Sequence, residues 1–81
     1  MGNPIVTLDL HGMYQDEAIK AIDRALKAAD AGTYQIKLIH GYNRGTSLKN
    51  MITDEYRYHP KVSRIQPGDN LGITLLILRE L

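Results

Sequence analysis

Asp9 and His11 stand two residues apart in the run Leu8-Asp9-Leu10-His11-Gly12. Alternate side chains of an extended segment share a face. The spacing therefore sets a carboxylate beside an imidazole, with Val6, Leu8 and Leu10 turned the other way. An imidazole changes charge near neutral pH and is suited to moving protons, and a neighbouring carboxylate can orient the ring or hold it charged. Further on, Ile36-Lys37-Leu38-Ile39 leads into His40-Gly41-Tyr42-Asn43-Arg44-Gly45. Glycines let a backbone approach a ligand closely, and the free amides of a loop that opens a helix bind anions. Arg44 can fork onto phosphate oxygens, and Lys49 lies about one turn into the helix that follows. An isolated Asp-x-His is more often a polar strand face, and two glycines four apart are more often a plain turn. Together they point to phosphate chemistry.

Other chemistries find less support. The glycine loop lacks the glycine–lysine–serine/threonine ending of a nucleotide-binding P-loop. No serine–histidine pair is apparent, and the absence of cysteine removes disulfides, thiolate nucleophiles and thiolate metal sites. Asp9 with one or two histidines is short of a ligand set for a divalent metal unless water or substrate completes it. No cofactor is therefore assigned, and a divalent metal stays open. His59 precedes Pro60 and reads as a surface or capping residue.

The elements that position these residues follow from periodicity. Ile5 to Leu10 alternates and reads as a strand. From Tyr14 to Ala31, Ala18, Ile22, Ala25, Leu26 and Ala29 fall on one helical stripe, with Asp16 and Glu17 favoured by the dipole of the first turn and Gly32 placed to end the helix. Tyr34 to Ile39 is a second strand, parallel to the first if the two share a sheet. A second helix over Thr46–Tyr56 turns Leu48, Met51 and Ile52 inward and stops before Pro60. Val62 to Gln66 is a short strand, Asp69-Asn70-Leu71-Gly72 a turn, and Ile73 to Leu78 a central strand, apolar except for Thr74. The order β-α-β-α-β-β makes a two-layer α/β (α+β) sandwich on a mixed four-stranded sheet. Ligands of such sheets sit beyond the carboxyl ends of the strands, so Asp9, His11 and His40 should share one rim.

Composition sets the bounds. The 81 residues form a single domain, 1–81 with its core over about 5–78, and chains of this size bury about 60% of their unfolded surface. No apolar run reaches about 18 residues and no signal peptide opens the chain, so a soluble cytoplasmic domain without membrane contact is expected. The net charge of +1 hides an asymmetry: residues 1–35 sum to −2 and residues 36–81 to +3. Lys37, Arg44 and Lys49 lie on or near the glycine loop, where a positive field would attract phosphate.

The Leu8-to-Gly12 run, with Glu17-Ala18 in the following helix, resembles the opening motif of the small MutS-related (Smr) domain. Ile39-His40-Gly41 with Gly45 is similar to that family's glycine-rich second motif, and Gly72 to Leu78 to its closing strand. The resemblance runs from about Ile5 to Leu78. It implies a fold like the C-terminal domain of translation initiation factor 3, and nucleic acid as partner. Members of the family nick branched or double-stranded DNA or cleave RNA. Carried over position by position, Asp9 and His11 are the implied catalytic pair, and His40, Gly41 and Gly45 the implied substrate loop. The family's loop usually has a glycine where Asn43 stands here, and asparagine tolerates positive φ better than most residues.

The resulting expectation is a nucleic-acid-binding domain with weak or conditional endonuclease activity on DNA or RNA. His11 serves as acid and base, Asp9 orients it, and Arg44, Lys49 and the loop amides hold the phosphodiester. Tyr42 is placed to stack on a base. The alternatives are a binding module without catalysis, or a small adaptor that meets a protein through its sheet face or through Tyr34, Tyr42, Tyr56 and Tyr58. The oligomeric state is left open.

Overall fold

The structure, a computed structural model, describes residues 4–41 and 45–79, with only the backbone at 45 and 46. In chain order it contains β1 (Ile5–Asp9), α1 (Gln15–Ala28), β2 (Gln35–Ile39), α2 (Gly45–Tyr56), β3 (Arg64–Pro67) and β4 (Ile73–Ile77). One mixed sheet runs β1-β2-β4-β3. β1 and β2 are parallel, and β4 is antiparallel to both β2 and β3. The expected two-layer architecture is therefore present, with the apolar Ile73–Ile77 run in the interior of the sheet.

One face of the sheet meets the helices. Leu10, Ile36, Leu38 and Leu76 are fully buried there against Ala18, Ile22 and Leu26 of α1 and Leu48, Met51 and Ile52 of α2. The opposite face carries Thr7, Lys37 and Leu75 in register across β1, β2 and β4. Lys37 thus stands on the open face, 3.9 Å from Asp69, and not at the glycine loop. Tyr56 also departs from expectation. It is buried between the helices, and its hydroxyl donates to Asp23 Oδ1 at 2.8 Å with the Ile19 carbonyl at 3.3 Å. Burial and the Asp23 carboxylate push this phenol well above its usual range. Tyr56 is therefore unavailable to a protein partner.

α1 begins as expected: Glu17 accepts the backbone N–H of Tyr14 at 3.1 Å, satisfying a donor at the helix start. It ends at Ala28, three residues before the expected Ala31. Ala29 turns extended, and the Leu26 and Ala29 carbonyls accept from Lys61 Nζ at 2.7 and 3.4 Å. A lysine from beyond α2 thus supplies the C-terminal cap. Gly32 lies in a following turn, where its N–H donates to Asp30 Oδ1 at 2.8 Å.

Candidate active-site rim

The parallel register brings the ends of β1 and β2 level, with Asp9 opposite Ile39. One further bond, from Leu10 N–H to the Ile39 carbonyl at 2.8 Å, extends the ladder and anchors the buried Leu10. The chain then turns sharply: Met13 N–H donates to the Leu10 carbonyl at 3.0 Å, with Gly12 at φ +81°. A turn with positive φ at its third position favours glycine there. His11 occupies the exposed corner of that turn. β1 therefore stops at Asp9, and Asp9 and His11 do not share a strand face; the turn carries the imidazole to its place.

Asp9 Oδ1 accepts the backbone N–H of His11 at 3.0 Å. The carboxylate thus braces the main chain of the turn. The imidazole meets β2's exit instead. A methyl group placed on Gly41 would lie 3.4 Å from His11 Cδ2, so the ring stands against that glycine. Gly41 itself has φ +83°, a conformation that L side chains rarely adopt. The first and second motifs therefore touch at His11 and Gly41.

His40 lies behind this contact. It is 2% exposed, with Nε2 2.8 Å from Thr74 Oγ1 and Nδ1 3.1 Å from the Gly41 carbonyl. A carbonyl only accepts, so in the neutral ring Nδ1 donates to Gly41 while Nε2 accepts from the Thr74 hydroxyl. The backbone N–H groups of His40 and Gly41 both donate to the Gly72 carbonyl, at 2.9 and 3.1 Å. Gly72 N–H in turn donates to Asn70 Oδ1 at 2.8 Å. His40 is thus enclosed, and any influence on a ligand passes through the position of Gly41. Sequence reasoning missed Thr74 and Asn70 as supports of the loop. The available signal was Thr74 itself, the one polar residue in an otherwise apolar strand.

Both helices begin at this rim, because each follows the carboxyl end of a parallel strand. Gln15 Nε2, in the first turn of α1, donates to Ser47 Oγ in the first turn of α2 at 2.6 Å. Gly45 opens α2, one residue before the expected start. Tyr42, Asn43 and Arg44 lie outside the described residues. Lys49 is exposed on α2 and lines a groove toward β3, together with Thr53 and Arg57. Asp9 and His11 are the metal-capable donors of the rim, and among the described residues no group of three or more such side chains converges. No helix among the described residues is long and apolar enough to cross a membrane.

The Smr domain signature matches residues 8–79. The chain is 36% identical over 76 residues to Endonuclease MutS2 of Pelotomaculum thermopropionicum, covering 88% of this chain and 10% of that protein. Against Endonuclease MutS2 of Clostridium botulinum the identity is 31% over 78 residues, covering 90% and 10% respectively. The chain thus spans about a tenth of the length of these relatives. Its fold superposes on the crystal structure of the Smr domain of Thermus thermophilus MutS2 with a TM-score of 0.81 at 29% identity, covering 93% of this chain and 99% of that one. With a match from the first motif to the closing strand, and the two motifs in contact at one rim, the chain belongs to the Smr domain family.

Proposed function

We propose that this rim binds a nucleic-acid phosphodiester and cleaves it, with His11 as the proton-transferring group. The observation that carries the reading is the His11 ring standing against Gly41, which brings an exposed imidazole to the loop leading into α2. Amides at a helix start favour an anion, and Arg44 and Lys49 add charge for the phosphate. Gly41, Tyr42, Asn43 and Gly45 are assigned to substrate binding, and Asp9 holds the turn that presents His11. The names of the MutS2 relatives support an endonuclease, although those proteins are about ten times longer.

The test is cleavage of labelled duplex DNA, branched DNA and RNA by the native chain and by His11→Ala. General acid–base catalysis contributes about 10²–10⁴-fold, so the variant should lose activity to that degree while keeping its fold. The substrate cut fastest identifies the preferred nucleic acid. Since proton transfer is assigned to His11 and charge stabilisation to the loop, cleavage should persist in EDTA. Abolition by EDTA with recovery on adding magnesium would give a cation the loop's role. Binding without cleavage is a second reading, favoured by the engagement of Asp9 with a backbone amide and not with the imidazole. Binding by both proteins with cleavage by neither would establish it.

A further inference from the structure

A groove of about 440 Å³ runs between α2 and the edge strand β3, on the side of α2 away from α1. Lys49 and Thr53 of α2, and Arg57 in the turn that continues it, form one wall, spaced four apart so that they stack along one side. On the other side Ile65 and Pro67 give apolar surface, and Ser63, Gln66 and Thr74 add polar groups. Arg64 also lines the groove, and no carboxylate does among the described residues beside Lys49 and Arg57. Two other concavities differ in charge: one between α1 and α2 balances Asp23 and Glu55 against Lys27 and Lys61, and one that runs from Gln15 and Ser47 along α2 includes Asp54 and Glu55. Asp54 and Glu55 of α2 thus line other concavities than Lys49 does.

The groove reaches the same edge of the sheet as the rim. β3 is antiparallel to β4, hence parallel to β2, so Pro67 ends β3 at the same edge as Ile39. Thr74, which lines the groove, is also the residue that hydrogen-bonds His40 beneath Gly41. At about 4.8 Å between strands, three spacings separate β1 from β3 by roughly 14 Å. That is about four steps of a duplex strand at 3.4 Å each. From Lys49 to Arg57 the helix rises about 12 Å, a length that spans further phosphates in the same direction.

We propose that this groove receives the nucleic-acid strand on one side of the phosphodiester held at His11, with its phosphates along Lys49 and Arg57 and its bases against Ile65 and Pro67. The inference rests on the nucleic-acid reading of the rim and extends it to a continuous track. Charge selects the occupant: Lys49 and Arg57, with no carboxylate beside them among the described residues of the groove, suit a polyanion, and Ile65 and Pro67 offer apolar surface to base faces. An acidic peptide shares the first property and lacks the second.

The experiment titrates ¹⁵N-labelled native chain with an oligonucleotide of about 16 nucleotides. Amide shifts are expected at Thr53, Arg57, Ile65 and Gln66 as well as at His11 and Gly41. Arg57→Glu, at an exposed turn position one residue past α2, should keep the circular dichroism of the native chain. It should weaken binding about tenfold in fluorescence anisotropy and reduce the salt slope by about one or more. Shifts confined to the rim, with unchanged affinity in Arg57→Glu, would overturn the groove and leave the rim reading intact. Shifts in the groove alone would overturn the rim reading and the continuity of the track. Arg57-dependent binding of a labelled glutamate-rich peptide by a chain that ignores the oligonucleotide would overturn both.

Discussion

Two glycines with positive φ frame His11, Gly12 in its own turn and Gly41 across from its ring. They do different work. Gly12 lets the chain turn after β1, whereas Gly41 holds a left-handed conformation directly beside the imidazole. Gly41→Ala therefore strains the backbone on which the ring rests. The left-handed backbone costs an L residue about 1–2 kcal/mol, which lowers Tm by roughly 4–8 °C per kcal/mol in a domain of this size. A backbone shift that relieved the left-handed strain would move the surface on which the His11 ring rests, so cleavage should fall by more than the stability loss explains. Thermal melts and cleavage rates measured well below Tm separate the two effects. A variant that melts lower yet cleaves at the native rate would remove the His11–Gly41 contact from the reaction.

The two helices are joined at both ends of their interface. Gln15–Ser47 ties their starts at the rim, and Tyr56–Asp23 ties them deeper in the layer. Since burial and Asp23 raise the Tyr56 pKa in the folded chain, folding favours the neutral phenol. The sign follows: this contribution is fully present below the unfolded tyrosine pKa of about 10 and is lost as pH rises beyond it. Denaturant titrations should therefore show stability falling above pH about 10. Tyr56→Phe should lose about 1.5–3 kcal/mol at neutral pH, the worth of a hydrogen bond to a carboxylate, and show a shallower alkaline decline. An unchanged alkaline slope in the variant would assign the decline to other groups.

A chain of this length has one core, and the rim hangs on it. Leu76, wholly buried in β4, pairs in register with Ile36 on one side and Ile65 on the other. Leu76→Ala should cost about 2–5 kcal/mol, a large part of the 5–15 kcal/mol typical of small domains. Circular dichroism, oligonucleotide binding and cleavage should then be lost over one temperature interval, although Leu76 lies at neither the rim nor the groove. Separate transitions for fold and binding would show that the rim is organised independently of the core. The same compactness lets β3 and α2 form a basic groove beside the rim in a chain whose net charge is only +1.

Local periodicity was sufficient for much of this architecture. The alternation of Ile5–Asp9, the helical stripe through Ala18, Ile22 and Leu26, and the apolar Ile73–Ile77 run set the element types. Element order then made β1 and β2 parallel and brought Asp9, His11 and Gly41 to one edge. Boundaries were less legible: α1 ends where Lys61, 33 residues beyond Ala28 in the chain, caps it. Partners were least legible. That Asp9 bonds the His11 amide, that His40 is buried on Thr74 34 positions away, and that Lys49 and Arg57 face β3 all depend on turns and cross-strand register. Hydrophobic spacing records which face of an element turns inward, because burial acts on each residue according to its own side chain. It holds no record of which residues meet, because a hydrogen bond is fixed only when two distant segments are placed side by side.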